Sequence, residues 1–209
     1  MRTFEIFNTY QFGKALMHDG IIMTTEKDEF IYHEAITHIP MLSHSSPKNI
    51  LVIGGGDGGT IRQLLKHEIV DKITIVEIDE KVTEACKSYF SDLANSFDNP
   101  KVHLIIGDGI EYIKKSNQYF DIIIVDSTDP IGPAEGLFTK GFYKDIYEKL
   151  TENGIFVCQS ESPWYNSGAF MNISDTLKKV FNKEFVFLYL ATIPTYPTGL
   201  WTFSFCSKR

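Results

Sequence analysis

The sequence predicts an α/β fold in which a mostly parallel, doubly wound sheet carries helices on both faces. Strand and helix patterns alternate from residue 49 to the end of the chain. Strands such as 50–53 and 122–125 are apolar at every position, which is typical of parallel strands buried on both faces. A run of glycines, 54–59, directly follows the first of these strands.

The first 25 residues predict a small β-hairpin region ahead of a larger domain at 26–209. Short, partly alternating runs at 4–6 and 14–17 flank a turn at 11–13, and a third run follows Gly20 at 21–23. A ribbon of this size is marginally stable alone, so we expect it to pack on the main domain or on another subunit.

The remaining elements follow in order. Residues 28–42 carry apolar side chains at helical spacing, and Pro40 with the following serines marks the exit. Strands are predicted at 49–53, 72–78, 102–106, 120–125, 155–159, 185–191 and 201–206. Helices are predicted at 60–67, 80–90, 110–115, 139–150 and 169–181.

Composition excludes several classes of protein. With 209 residues, 43% of them apolar and 22% charged, the chain is typical of one globular domain with a small appendage. A net charge of −7 opposes nucleic-acid binding, which requires phosphate neutralisation. Three widely spaced cysteines indicate neither a disulfide framework nor a cysteine zinc site. The chain has no apolar run long enough to span a membrane, so we expect a cytoplasmic protein without membrane partners.

The glycine run has the spacing of a nucleotide-binding loop. Gly54, Gly56 and Gly59 satisfy GxGxxG between a strand and a helix, and Glu77 ends the next strand 18 residues later. In Rossmann-like folds such an acid binds the ribose hydroxyls. The alternative is a tight turn that simply needs glycines.

Acidic residues follow each of the first four strands of the alternation. They are Asp57, Glu77, Asp79, Asp108, Asp126 and Asp129. Any one of them alone is as readily explained as a helix N-cap or loop carboxylate. Because the carboxyl ends of parallel strands share one edge, we expect the group to converge there and to attract a positively charged, nucleoside-like ligand.

Other patterns in the sequence give weaker indications of function. His33 and His38 are five residues apart, which takes them off one helical face, and no metal site is predicted. Neither a GxSxG nor a GxxxxGK motif is present. Residues 127–138 are long for a connection between strand and helix, so we expect a lid there. Trp164 and Tyr165 are expected to be core or lid aromatics.

Seven segments together resemble the spermidine synthases, a family of aminopropyltransferases. They are GGGDGG (54–59), VEID (76–79), GDG (107–109), DSTDPIGPA (126–134), LFTKGFY (137–143), TTEKDEFIYHE (24–34) and IPTYP (193–197). They occur in order and mostly at strand ends, and DSTDPIGP is not a general feature of Rossmann-like folds.

The resemblance implies a role for each matched residue. The donor, decarboxylated S-adenosylmethionine, would be bound by His33, Gly54, Gly56, Asp57, Glu77, Asp108, Gly109, Ser127 and Pro133. Asp57 would hold its amine, Glu77 its ribose, and Asp108 with Gly109 its adenine edge. Asp126, assisted by Tyr32, would be the base that deprotonates the attacking amine. The diamine channel would be lined by Asp129, Gln159, Glu161 and Tyr196.

The resemblance also implies an assembly and a substrate pair. The family fold is a small β-domain followed by a Rossmann-like domain of the class I methyltransferase type, assembled as a homodimer or homotetramer. It needs no metal and no cofactor, because the decarboxylated donor is a co-substrate. Relative to the family, the chain begins later and ends earlier, which we expect to weaken oligomerisation. Met23 stands where many members carry a glutamine that reaches the diamine.

Charge favours the same activity from the residues alone. An acid at Asp57 would repel the carboxylate of intact S-adenosylmethionine, whereas the decarboxylated donor carries only an ammonium and a sulfonium. The predicted reaction is aminopropyl transfer to putrescine, giving spermidine and methylthioadenosine. Two alternatives stay open: a methyltransferase that uses intact S-adenosylmethionine, and a non-catalytic relative that only binds nucleoside. The acceptor also stays open between putrescine, cadaverine, agmatine and spermidine.

Overall fold

The computed structural model describes residues 3–209, except for the side chain of Pro133. In this part of the chain the strands are β1 (Phe4–Asn8), β2 (Lys14–His18), β3 (Ile21–Thr25), β4 (Asn49–Gly54), β5 (Lys72–Glu77), β6 (Val102–Ile106), β7 (Phe120–Asp126), β8 (Leu150–Gln159), β9 (Val186–Thr192) and β10 (Leu200–Ser207). The α-helices are α1 (Glu29–Ser43), α2 (Gly59–Leu64), α3 (Glu80–Tyr89), α4 (Ser91–Ala94), α5 (Gly109–Lys115), α6 (Lys140–Lys149) and α7 (Ser167–Lys178). Short 3₁₀ helices lie at Asn95–Asp98, Gly132–Phe138 and Lys183–Phe185.

The main sheet has seven strands in the order β6-β5-β4-β7-β8-β10-β9. The first five strands of this order pair in parallel, whereas β10 is antiparallel to both β8 and β9. Strand β4 lies between β5 and β7, so the winding direction reverses beside it. In open α/β sheets, ligands bind at the carboxyl ends of the strands at such a switch point. The predicted mostly parallel, doubly wound α/β sheet is confirmed.

The sheet separates two hydrophobic cores. Ile50 and Val52 of β4 belong to one core, and Leu51 and Ile53 belong to the other. Because successive side chains of a strand point to opposite faces, the unbroken apolar run of β4 buries both of its faces under helices. All four side chains are at most 2% exposed.

The first three strands form a separate antiparallel sheet in the order β1-β2-β3. Leu16 is buried in the first of the two cores, and Phe4, Ile6 and Met23 pack against that core. Of the two expected packing partners for this ribbon, the structure shows the main domain of the same chain.

Asp28 fastens the end of β3 to the rest of the molecule. Its carboxylate accepts hydrogen bonds from the Thr25 hydroxyl at 2.6 Å, the Thr195 hydroxyl at 2.7 Å and the Thr195 backbone N–H at 3.0 Å. Tyr196 adds a bond from its hydroxyl to the Met23 carbonyl at 2.8 Å. The ribbon is therefore tied to the loop between β9 and β10.

Some boundaries differ from the prediction. Strand β8 begins at Leu150 rather than at residue 155, because Leu150 pairs with Phe120 of β7 before a register shift, after which pairing resumes between Ile155 and Ile122. Helix α1 continues through Pro40 to Ser43, and the Pro40 carbonyl accepts from the His44 backbone N–H at 3.2 Å. The short helix α4 was not predicted at all.

Candidate active site

A cavity of about 390 Å³ opens at the carboxyl ends of β4, β5 and β7, next to the ribbon. The predicted site residues among its lining are Tyr32, His33, Gly54, Gly56, Asp57, Glu77, Asp108, Gly109, Asp126, Ser127 and Tyr196. The ribbon contributes Phe4, Leu16, His18, Met23 and Thr24 to the wall. The structure therefore brings most of the predicted residues into one chamber, of a size suited to a small-molecule ligand.

The glycine loop lies against the end of β7. Gly54 has a φ of +84°, a left-handed conformation that side chains disfavour, and a Cβ there would overlap the Asp126 carbonyl. The backbone N–H of Gly55 donates to the same carbonyl at 2.8 Å. Glycine at this position thus lets the loop pass directly beside Asp126.

Asp126 sits at the centre of this edge. One carboxylate oxygen accepts a hydrogen bond from the Thr60 hydroxyl at 2.6 Å, and the Tyr32 hydroxyl bonds the same carboxylate. Burial raises the pKa of Asp126, and the charge of Asp57 adds to this, whereas the charge of His33 opposes it. A carboxylate with a raised pKa is a better proton acceptor for an amine than an ordinary aspartate.

Asp57 is held between a helix start and a histidine. Its Oδ1 accepts from the Gly59 backbone N–H at 2.8 Å, and its Oδ2 lies 3.3 Å from His33 Nε2. Burial alone would raise the pKa of Asp57, but the charge and hydrogen bond of His33 lower it. Asp57 therefore stays ionised and faces the cavity as a fixed negative charge.

Glu77 is only 7% exposed at the end of β5. Its Oε1 accepts from the Asp79 backbone N–H at 2.9 Å. Burial raises the pKa of Glu77 to about 7, and the negative charge of Asp79 acts in the same direction. The carboxyl therefore changes charge near neutral pH when the cavity holds no ligand.

Asp108 and Gly109 begin α5 at the same rim. The Asp108 side chain caps the helix by accepting from the Ile110 backbone N–H at 2.8 Å, which is the alternative explanation offered by the sequence. Asp108 is nevertheless exposed and lines the cavity. Its predicted part in adenine binding stays a prediction.

Asp129, Gln159 and Glu161 lie outside the lining of the cavity but beside it. The Gln159 amide donates to the carbonyl of Thr128, a lining residue, at 3.3 Å, and its oxygen accepts from the Glu161 backbone N–H at 3.0 Å. Asp129 and Glu161 share a hydrogen bond between their carboxyl groups. Burial and the nearby Asp129 raise the pKa of Glu161 to about 7. Of the predicted diamine residues, only Tyr196 reaches this cavity.

The connection after β7 covers one side of the cavity. Ala134 and Leu137, in the 3₁₀ helix Gly132–Phe138, are among the lining residues. Ser127 lines the cavity as well, while its hydroxyl donates to the Thr128 carbonyl at 3.1 Å. The side chain of Pro133 lies outside those that the structure describes. Trp164 and Tyr165 are 79% and 71% exposed, so neither is a core residue.

Sequence reasoning missed three polar residues that support the site. Thr60 donates to Asp126, and Glu29 joins His33 to Arg62 through hydrogen bonds of 2.6 Å on each side. The available signals were the position of Thr60 directly after the glycine run and the four-residue spacing of Glu29 and His33 on one helical face.

The sequence also predicts that the protein has no metal site, no membrane-spanning helix and no disulfide framework. Within residues 3–209 no group of three or more His, Cys, Asp or Glu side chains is placed to hold a metal ion, and the metal-free site stays a prediction. No helix in that range has both the length and the apolar character needed to cross a bilayer. All three cysteines are buried free thiols.

Comparison with known proteins identifies relatives over nearly the whole chain. A polyamine aminopropyltransferase of Methanocaldococcus jannaschii is 52% identical over 205 residues, which cover 98% of this chain and 70% of the relative. Another, of a Thermoanaerobacter species, is 50% identical over 204 residues and is covered to 73%. The chain is thus shorter than these relatives.

Solved structures show the same fold. A spermidine synthase in complex with the transition-state analogue AdoDATO superposes with a TM-score of 0.96 at 43% identity, covering 100% of this chain and 71% of that one. The spermidine synthase of Thermotoga maritima superposes with a TM-score of 0.92 at 41% identity, covering 100% of this chain and 70% of that one. The model of the spermine/spermidine synthase domain matches residues 29–209. The chain belongs to the spermine/spermidine synthase family.

Proposed function

We propose that this protein is an aminopropyltransferase that moves the aminopropyl group of decarboxylated S-adenosylmethionine to putrescine, giving spermidine and methylthioadenosine. The observation that carries the proposal is the placement of Asp57, Glu77 and Asp126 around one cavity. Negative charge in that arrangement suits a nucleoside ligand bearing an ammonium and a sulfonium. The aminopropyltransferase names of the relatives support the same activity.

The donor fits the inner part of the cavity. Glu77 would accept hydrogen bonds from the ribose hydroxyls, and Asp57, with His33 behind it, would pair with the terminal ammonium. Asp108 and Gly109 would lie at the adenine edge, next to the loop of Gly54 and Gly56. Ser127 and the covering 3₁₀ helix, including Pro133, would close over the nucleoside and exclude water.

The acceptor would enter past the neighbouring acidic residues. Asp129 and Glu161 form a hydrogen bond between their carboxyl groups, and burial raises the pKa of both; the distal ammonium of a diamine would take the place of that hydrogen bond as their partner. Gln159 and Tyr196 would complete this part of the channel. A monoamine would leave the two carboxyl groups without a cationic partner, which favours a diamine.

Asp126 would remove the proton that blocks the attack. With ordinary pKa values the transfer from an alkyl ammonium to an aspartate is uphill by roughly 9 kcal/mol in water. Burial raises the pKa of Asp126 and would lower that of the amine, so the gap narrows inside the cavity. The freed nitrogen lone pair then forms the new C–N bond at the methylene carbon beside sulfur. The C–S electrons leave with sulfur, and methylthioadenosine is released.

The release of methylthioadenosine from decarboxylated donor and putrescine tests the proposal. We expect turnover by the parent protein and a loss of roughly 10²–10⁴-fold in kcat for Asp126→Asn. The exposed acid Asp71 provides the matched control, since Asp71→Asn changes the charge equally and Asp71 lies directly before β5, at the opposite end of that strand from the cavity. Folded parent protein that releases no methylthioadenosine would contradict the proposal.

Two further measurements separate the alternatives. Calorimetry should show the decarboxylated donor binding more tightly than intact S-adenosylmethionine; the reverse order would favour a methyltransferase. Nucleoside binding with equal rates for parent and Asp126→Asn would favour a non-catalytic relative. A panel of putrescine, cadaverine, agmatine and spermidine, assayed with one donor, identifies the acceptor.

Assembly and location belong to the same proposal. We propose a homodimer or homotetramer in the cytoplasm that works without metal or dissociable cofactor, on the strength of the family resemblance. Sedimentation of the purified chain measures the first point. Unchanged activity after dialysis against a chelator would support the second.

A further inference from the structure

A chain of charged side chains runs from the surface to the cavity behind Asp57. Arg62 Nη2 donates to Glu29 Oε1 at 2.6 Å, Glu29 Oε2 lies 2.6 Å from His33 Nδ1, and His33 Nε2 lies 3.3 Å from Asp57 Oδ2. The charges alternate along this row. Glu29 and His33 are 7% and 3% exposed, so little solvent screens the contacts.

The position of the His33 ring is fixed from several sides. Gly59 packs against its face so closely that a Cβ there would overlap the ring. The Tyr32 ring lies edge-on with its centroid 5.4 Å away. With Glu29 on one ring nitrogen and Asp57 on the other, the imidazole has one orientation that satisfies both.

The surroundings also fix the charge of His33. The charged groups that face it are Glu29 on α1, Asp57 on the glycine loop and Asp126 at the end of β7, with Arg62 on α2 behind Glu29. Burial alone would lower the pKa of His33, but Asp57, Glu29 and Asp126 together raise it to about 10. Both ring nitrogens are therefore protonated at neutral pH, and both donate.

We propose that Glu29, braced by Arg62, is a positioning residue that keeps His33 as a double donor and thereby aims the Asp57 carboxylate at the cationic end of the donor substrate. Glu29 lines the cavity beside His33, but both of its carboxylate oxygens are engaged, Oε1 by Arg62 and Oε2 by His33, so it acts on the donor through His33 and Asp57. The inference rests on the proposed function for its kinetic consequence but not for its effect on His33.

The decisive variant is Glu29→Gln, which keeps the shape of the side chain but removes its charge. Without that charge the protonated form of His33 is stabilised less, so the pKa of His33 should fall toward the ordinary range. Asp57 then loses a fixed donor, and the KM for decarboxylated donor should rise about 10- to 100-fold, the range that corresponds to weakening a hydrogen bond between charged groups. The change in kcat should be much smaller.

Methylthioadenosine provides an internal control because it lacks the aminopropyl group. Glu29→Gln should bind it as tightly as the parent does, whereas a variant with a damaged cavity would lose this binding as well. Glu34→Gln is the matched control variant, since Glu34 lies on the same helix, is 45% exposed and, among the described residues, forms an ion pair only with Lys66 at 3.9 Å.

Nitrogen-15 NMR of the histidine rings tests the inference even if the protein has no turnover. In the parent and in Glu34→Gln, both His33 nitrogens should stay protonated from about pH 6 to 9. In Glu29→Gln, His33 should titrate inside that range. If Glu29→Gln fails to fold, Arg62→Lys removes the guanidinium hydrogen bond to Glu29 while keeping the charge, and a smaller shift in the same direction is expected.

Two results would overturn the proposal. One is a His33 that stays protonated in Glu29→Gln over the same pH range. The other is a donor KM that matches Glu34→Gln in a protein with normal turnover. An absence of turnover in the parent would instead contradict the proposed function and leave the NMR result to decide this inference.

Discussion

Glu77 shows how one buried carboxyl makes ligand binding depend on pH. Its pKa of about 7 means that half of the empty protein carries a neutral Glu77 at neutral pH. If ribose hydroxyls donate to the ionised form of Glu77, a protein molecule whose Glu77 is neutral must lose that proton before it binds the nucleoside. Binding should therefore weaken as the pH falls through 7.

We expect the affinity for methylthioadenosine to rise about tenfold between pH 6 and 8 and then to level off. Calorimetry at several pH values measures this directly, because methylthioadenosine itself carries no charge over the range. The Glu77→Gln variant should bind weakly at every pH. An affinity of the parent that is flat across the range would show that Glu77 does not bind as a carboxylate.

The raised pKa of Glu77 also predicts that the stability difference between the parent and Glu77→Gln depends on pH. A pKa raised from 4.5 to about 7 stabilises the folded state fully below pH 4.5, and this contribution is lost as the pH rises through 7. Relative to Glu77→Gln, the parent should lose about 2–3 kcal/mol of unfolding free energy between pH 5 and 8. Urea unfolding of both proteins at the two pH values checks this. A constant difference would contradict the raised pKa.

At the level of elements, the ribbon of β1 to β3 depends on a few polar ties to the main domain. Asp28 is 4% exposed and accepts hydrogen bonds from Thr25 and Thr195. Its removal leaves the buried Thr25 hydroxyl and the half-buried Thr195 donors without this acceptor, which costs more than the loss of an exposed contact. The ribbon wall of the cavity is held by this residue together with Tyr196.

Asp28→Ala should destabilise the protein by about 3 kcal/mol, and Thr195→Val by about 1 kcal/mol. Asp71→Ala serves as the control, because Asp71 is exposed and its one ion pair within residues 3–209 is with Lys48 at 3.6 Å. Urea unfolding followed by fluorescence measures all three. If Asp28→Ala were no worse than Asp71→Ala, the ribbon would be held by apolar packing alone.

The elements that the sequence predicts well are those whose own residue pattern is sufficient to specify them. Strand β4 is apolar on both faces and ends in glycine, so its position follows from its pattern. The polar residues Thr151, Glu152 and Asn153 of β8 lie in a register shift, and the strand starts before them only because Leu150 pairs with Phe120 of β7. Tertiary pairing of this kind leaves no trace in a local pattern.

The residues of the site likewise fall into those that the sequence predicts and those that it does not. Asp57, Glu77 and Asp126 could be predicted because parallel strands bring their carboxyl ends to one edge. Glu29 had only its four-residue spacing from His33 as a signal and Arg62 had none, because a charged residue on a helix looks like part of a solvated face until the neighbouring helix is placed against it. The contact between α1 and α2 makes the difference.

At the scale of the whole molecule, the negative charge is both general and local. The chain carries a net charge of −7, and three of its acidic residues, Asp57, Glu77 and Asp126, lie together at the cavity on one edge of the sheet. A field of this kind raises the local concentration of cations and is screened by salt over about 8 Å at physiological ionic strength. Both proposed substrates are cations, whereas methylthioadenosine is neutral.

Salt should therefore weaken the binding of the cationic substrates more than the binding of the neutral product. Raising sodium chloride from about 0.05 to 0.5 M should increase the KM for putrescine several-fold, because screening weakens its attraction to the acidic residues. The affinity for methylthioadenosine should change little over the same range. Steady-state kinetics and calorimetry in matched buffers measure the two quantities, and potassium chloride should give the same result as sodium chloride. Equal salt dependence for the cation and the neutral nucleoside would mean that salt acts on the fold rather than on the field, and the acidic cavity would then have no part in selecting cations.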